Sequence, residues 1–192
     1  MTGRAPGPPT REEAWDLLRE HTEGDSLRKH ALAVEAAMRA YAAAAGADPE
    51  IWGIAGLLHD FDYEKHPTLE EHPAFGVDLL RRLGYPEEIV RAILAHAPHT
   101  GVVPETPMEK TLFAVDELCG FLTACALVQP GRTLAEVRVS SVKKKLKDKA
   151  FARSVNREHI LEGTEALGVD LDRHIEFVLG ALAPIAPSLG LG

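Results

Sequence analysis

Helix punctuation recurs along this chain, and strand punctuation does not. Thr10-x-x-Glu13 has the capping-box pattern, in which a hydroxyl and a carboxylate each satisfy an orphan backbone N–H, and it precedes Ala14, Trp15, Leu17 and Leu18. Gly24 predicts the end of that helix. Asp25 or Ser26 then caps a second one, whose apolar positions Leu27, Ala31, Val34, Met38 and Tyr41 step by three or four until Gly46. Asp48-Pro49 supplies an N-cap and a first-turn proline for the apolar run Ile51 to Leu58. After a polar loop, Pro73 opens a short helix that Gly84 stops, and Pro86 opens another that carries Ile89, Val90, Ile93 and Leu94 until Pro98. Thr106-Pro107-Met108-Glu109 combines N-cap, first-turn proline and capping-box acid ahead of a long helix to Val128, and Thr133-x-x-Glu136, Asn156 and Asp170 predict three more. No window alternates apolar and polar residues with β-branched enrichment, so the expected fold is an all-α bundle.

The 192 residues suit one domain with a real interior. We expect a flexible N-terminus over 1–9, one helical domain over 10–183 with a C-terminal extension from 133 to 183, and a Pro/Gly-rich tail over 184–192 that frays. A net charge of −8 argues against broad binding to nucleic acid or to anionic membranes and points to small-molecule chemistry. No stretch approaches the roughly 20 apolar residues of a membrane span, and Met1 to Pro9 lacks the apolar centre of a secretory signal, so a cytoplasmic protein is expected. Cys119 and Cys125, six apart and about 120° from each other around one helix, read as buried free thiols of a reducing compartment.

A few polar residues break the apolar faces of these helices. The run Ile51 to Leu58 ends in His59-Asp60, two residues about 100° apart that reach a common point only beside the helix end. Asp116 has Leu112, Phe113, Cys119 and Gly120 as its helical neighbours, so its carboxylate needs an interior partner: a cation, a buried ion pair or a backbone amide. His30 shares a face with Leu27 and Val34, and His96 with Ile89 and Ile93. Singly, each reads as a satisfied core histidine; together with His59, Asp60 and Asp116 they read as a metal site assembled from separate segments. His72, before Pro73, is either a further ligand or an exposed loop histidine, His66 and His99 are expected at a rim, and His21, His159 and His174 are expected in solvent.

An isolated His, then His-Asp after an apolar helix, then spaced histidines and a late Asp resembles the HD-domain superfamily of metal-dependent phosphohydrolases. The resemblance runs from His30 to Asp116, with the metal-binding core expected over 25–128, and the segments 115–121 and 141–147 look like a small bacterial subgroup. It implies an HD-type helical bundle with extra C-terminal helices. It also implies His30, His59, Asp60 and Asp116 as metal ligands, His72 and His96 as the extra pair of members that hold two metals, and Asp60 as the bridge, as in HD-type enzymes that split diadenosine tetraphosphate. Two departures stand out: Phe61-Asp62 replaces the common Ile-Gly, and Tyr63 stands where some nucleotidase members carry an acid. Asp62 or Glu64 could stand in for that acid, and Asp62 is the candidate catalytic residue beside Asp60.

A mixed imidazole and carboxylate set favours one or two divalent transition metals (Fe, Mn, Ni, Co or Zn) over calcium. Two such ions about 3.5–4 Å apart activate a water and clamp phosphoryl oxygens, which makes hydrolysis of a phosphomonoester, nucleotide or dinucleoside polyphosphate the leading expectation. Lys144 and Lys147, three apart in the basic run 143–149, either bind substrate phosphate or form a solvated face. An HD-fold di-iron oxygenase and a non-catalytic metal-stabilised binding domain are the alternatives. The expected partner is a small phosphorylated molecule, with no nucleic acid and no membrane, and the C-terminal helices could cover the bundle or pair it into a homodimer.

Overall fold

The computed structural model describes residues 9–192 and is all-α, with no strand among the described residues. The flexible N-terminus expected over 1–9 falls outside these residues, apart from Pro9, which is buried. Helix α1 (Arg11–His21) carries both halves of its capping box: the Thr10 hydroxyl accepts the Glu13 N–H, and the Glu13 carboxylate accepts the Thr10 N–H. Helix α2 (Asp25–Ala45) differs from expectation at its start. Gly24 is the N-cap and makes no side-chain bond, while Asp25 sits inside the first turn and pairs with Lys29 at 2.7 Å. Helix α3 (Pro49–Leu58) begins as predicted, with Asp48 accepting the Glu50 N–H at 2.8 Å.

Short helices α4 (Ala74–Arg82) and α5 (Glu87–His96) lead to the long α6 (Pro107–Leu127), again opened by a complete capping box at Thr106 and Glu109. The helix expected after Thr133 is only a single 3₁₀ turn, Leu134–Glu136. The Glu136 carboxylate accepts the Gly131 N–H at 2.8 Å, which closes a turn, and the chain runs extended at Val137 and Arg138 before α7 (Val139–Leu146). Helices α8 (Arg157–Leu167) and α9 (Leu171–Leu182) start at Asn156 and Asp170, whose side chains accept first-turn N–H groups.

The tail, expected to fray, is packed. A short α10 (Ala186–Leu189) leads to Leu191, which is 1% exposed and whose carbonyl accepts the Leu134 N–H at 2.9 Å. Burying Leu189 and Leu191 offsets the entropy that a Pro/Gly-rich segment loses on ordering.

Helix α6 is apolar on almost all sides, as a helix surrounded by others must be, and it packs against α2, α5 and α8. Helices α2 and α3 pack closely: a Cβ on Gly56 would lie 2.9 Å from Met38 Cγ and 3.0 Å from the Val34 carbonyl, so only glycine permits this approach. The approach brings the start of α2 beside the end of α3, which places His30 next to His59. Cys119 and Cys125 are buried and unbridged, as expected. Glu35, buried on α2, is held by Arg11 and Arg39 at 2.6 and 2.8 Å. No described helix is long and apolar enough to cross a membrane.

Candidate metal centre

Four helices and one loop deliver the polar side chains. Helix α2 supplies His30, the end of α3 supplies His59 and Asp60, the loop before α4 supplies His72, α5 supplies His96 and α6 supplies Asp116. His59 still has helical backbone angles (φ −58, ψ −37), so the α3 spiral continues far enough to turn both His59 and Asp60 toward α6. Ligand atoms of His30, His59, Asp60 and Asp116 all lie within 4.8 Å of one another, and so do those of Asp60, His72 and His96. All six residues from the sequence reading therefore come together. Asp60 is common to both groups: its Oδ2 lies 3.4 Å from His59 Nε2, and its Oδ1 lies 3.3 Å from Nε2 of both His72 and His96.

The imidazoles are oriented from behind. His59 Nδ1 donates to the Gly56 carbonyl at 2.8 Å, His96 Nδ1 donates to the Ile93 carbonyl, and His72 Nδ1 donates to Asp62 Oδ1 at 2.8 Å. Each of these bonds turns Nε2 toward the cluster, the arrangement seen when histidines serve as metal ligands. His59 Nε2 tests the fit of a cation most sharply. It is buried without a hydrogen-bond partner, yet it stands 3.3 Å from Asp116 Oδ1 and 3.4 Å from Asp60 Oδ2. A nitrogen lone pair aimed at two carboxylates is costly unless a positive charge lies among them.

Electrostatics tell the same story. Burial pulls the His59 pKa down, but Asp60 and Asp116 outweigh it and hold it well above its ordinary value. Burial would raise Asp60 and Asp116, and the surrounding imidazoles, His59 foremost, instead keep both below the usual carboxylate range. For His72, burial is again outweighed, here by hydrogen bonds to Asp60 and Asp62, and its pKa is pushed up to about 9.

These residues open onto a cleft of about 390 Å³ whose lining includes Asp60, Tyr63, His99, Glu117, Ser154 and His159. Two expectations are corrected here. Asp62, expected as a catalytic acid, is 0% exposed and does not line the cleft; one oxygen holds His72 and the other accepts the Gly76 N–H at 2.8 Å. Lys144 and Lys147, expected at substrate phosphate, are exposed on and just after α7 and line no part of the cleft. The wall they were to form comes from the loop before α8, which Arg157 pins by donating to the carbonyls of Asp148, Phe151, Ala152 and Val155.

Sequence reasoning missed two lining residues. His159, expected in solvent, lines the cleft, and its ring lies 5.4 Å from that of Phe113. Glu117 accepts the Asn156 N–H at 3.1 Å, and burial together with the neighbouring Asp116 pushes its pKa up to about 7. Its place beside Asp116 was the available signal. His99 sits at the rim as expected, donating to the His72 carbonyl at 2.8 Å, whereas His174, also expected in solvent, is buried between the Tyr41 hydroxyl and the Ala114 carbonyl.

Residues 27–119, from the start of α2 into α6, match the HD domain, a family that is generally one of metal-dependent hydrolases. Among curated proteins the chain is similar to Ribonuclease Y of Desulfotalea psychrophila, 35% identical over 98 residues, covering 50% of this chain and 18% of that protein. Ribonuclease Y of Cutibacterium acnes is 38% identical over 79 residues, covering 40% and 14%. The chain thus spans less than a fifth of the length of these relatives. No solved structure gives a significant match.

Proposed function

We propose that this protein is a metal-dependent phosphohydrolase that acts on a small phosphorylated compound, a phosphomonoester or phosphoanhydride. The observation that carries the proposal is the placement of Asp60 between two groups of ligand atoms, with one oxygen turned to each. His30, His59, Asp60 and Asp116 would hold one divalent ion, and Asp60, His72 and His96 a second. Ions held there polarise phosphoryl oxygens and lower the pKa of a water.

The chain's own residues set the charge of the cleft. Asp60 and Asp116 bring two negative charges and the four imidazoles bind as neutral ligands, so two divalent cations leave the site net positive and attractive to a phosphate dianion. Asp62 and the Gly56 and Ile93 carbonyls keep Nε2 of His72, His59 and His96 in place. His159 and Tyr63 bring hydrogen-bond donors to the opening that suit phosphoryl or leaving-group oxygens.

Metal analysis of the isolated protein should find two ions per chain. His59→Ala and Asp60→Ala should each lose most bound metal while the circular-dichroism spectrum stays helical, and full metal retention in both would sink the assignment. Protein loaded separately with manganese, iron and nickel should hydrolyse at least one member of a panel of phosphomonoesters, nucleotides and dinucleoside polyphosphates, without oxygen. The panel also includes single-stranded RNA, because the curated relatives are ribonucleases. Turnover that vanishes anaerobically would move the assignment to a di-iron oxygenase, and metal binding with no turnover would move it to a binding domain.

A further inference from the structure

A second cavity, of about 400 Å³, lies between the start of α2, the C-terminal half of α6 and the packed tail. It meets the metal cleft at His30 and Gly120, which line both spaces. Gly120 stands one helical turn beyond Asp116. A Cβ there would have only His30 Nδ1 and Cε1 within 4 Å, at 3.9 and 4.0 Å, which is ordinary contact. Glycine is disfavoured within a helix, and packing does not require it at this position. Its effect is to leave a passage beside a residue of the metal site.

The walls indicate what the cavity suits. Leu127, Leu189 and Leu191 supply aliphatic surface, and Ser26 and Thr123 supply hydroxyls. Asp25 and Lys29 also line it, but they pair with each other at 2.7 Å and offer an entering group no net charge. Leu127 is 50% exposed on a helix that is otherwise largely buried. The far wall is fixed by backbone bonds from Leu191 to Leu134 and Ala186, at 2.9 and 2.8 Å. A concave, mainly aliphatic space with a few hydroxyls accepts an uncharged group with apolar faces and a polar edge.

We propose that this cavity binds the apolar organic portion of the substrate, a ring-bearing group whose phosphate lies in the metal cleft, and that Gly120 keeps the two spaces connected. The proposal rests on the phosphohydrolase reading and gives it a substrate class: phosphoesters of aryl or similarly apolar alcohols in preference to those of small polar ones.

The test compares naphthyl phosphate with glycerol phosphate on the manganese-loaded full chain and measures naphthol binding by calorimetry. Wild type should favour the naphthyl ester in kcat/KM by about tenfold or more. Gly120→Leu should bring that ratio toward one with metal stoichiometry held. Thr123→Phe, which fills the cavity away from the metal residues, should weaken naphthol binding by about tenfold or more. Equal kcat/KM for the two esters and no naphthol binding would overturn the cavity assignment while leaving the hydrolase reading intact. If no ester is turned over but naphthol binds and Thr123→Phe abolishes it, the cavity stands and the hydrolase reading falls.

Discussion

Asp62 and His72 act as one unit. The carboxylate fixes the imidazole through Nδ1 and takes the Gly76 N–H with its second oxygen, so it shapes the centre without touching the cleft. Replacing Asp62 by Asn keeps the volume but removes the charge that makes the ring a strong ligand. Affinity for the second metal ion should fall about 10–100-fold, with helical content retained; a titration that finds both ions bound as in wild type would refute this positioning role. The pKa of His72, about 9 against an ordinary 6.5, carries a sign as well. The metal-free fold gains stability from this proton fully below pH 6.5 and loses it as pH rises through about 9, and a metal ion must displace the same proton. Metal affinity should therefore climb between pH 6.5 and 9, which equilibrium dialysis across that range would check.

His174 has the opposite sign. Burial lowers its pKa, so above pH 6.5 it is neutral folded or unfolded and contributes no pH dependence. Below 6.5 the unfolded chain takes up a proton that the folded chain resists, so stability falls with acid. His174→Gln should flatten that acid limb of the Tm profile, and a limb of unchanged slope would assign it to other groups.

At the scale of elements, the centre depends on how closely helices approach. Helix α8 crosses α6 at Gly163, where a Cβ would lie 2.5 Å from Ala114 Cα, and the same helix carries His159 into the cleft. Gly163→Ala should cost about 1–3 kcal/mol, read from the denaturant midpoint, because backbone and not a flexible side chain stands in the way. A loss well under 1 kcal/mol would mean that α8 shifts freely. The helix starts at Thr10, Asp48, Thr106, Asn156 and Asp170 were legible because a cap is a local bond between residues two or three apart. The start of α7 was not: Thr133 and Glu136 fit the same pattern, but Glu136 turned to Gly131 and made a turn.

For the whole molecule, four elements of the bundle and the loop before α4 are held to one point by two carboxylates and four imidazoles. Removing bound metal should therefore destabilise the fold as a unit. Saturation at about 100 times Kd adds about 2.7 kcal/mol, so chelation should lower Tm and metal should restore it. Tm unchanged by chelator in a protein that had bound two ions would show that the bundle does not depend on the centre.

The sequence alone determined the all-α class and most helix boundaries, because periodicity and caps are local signals that need no knowledge of neighbours. Polar residues on apolar faces marked His30, His59, Asp60, His96 and Asp116 as candidate ligands, while His72 stayed open between ligand and loop histidine until the family resemblance was added. The tertiary structure decided everything that depends on which surfaces meet. Asp62 became a support for His72, Lys144 and Lys147 ended up away from the cleft, His159 and Glu117 entered it, and the tail folded back to close a second cavity. Residues far apart in the chain are brought together by close packing at Gly56 and Gly163, and a one-dimensional pattern holds no record of that distance.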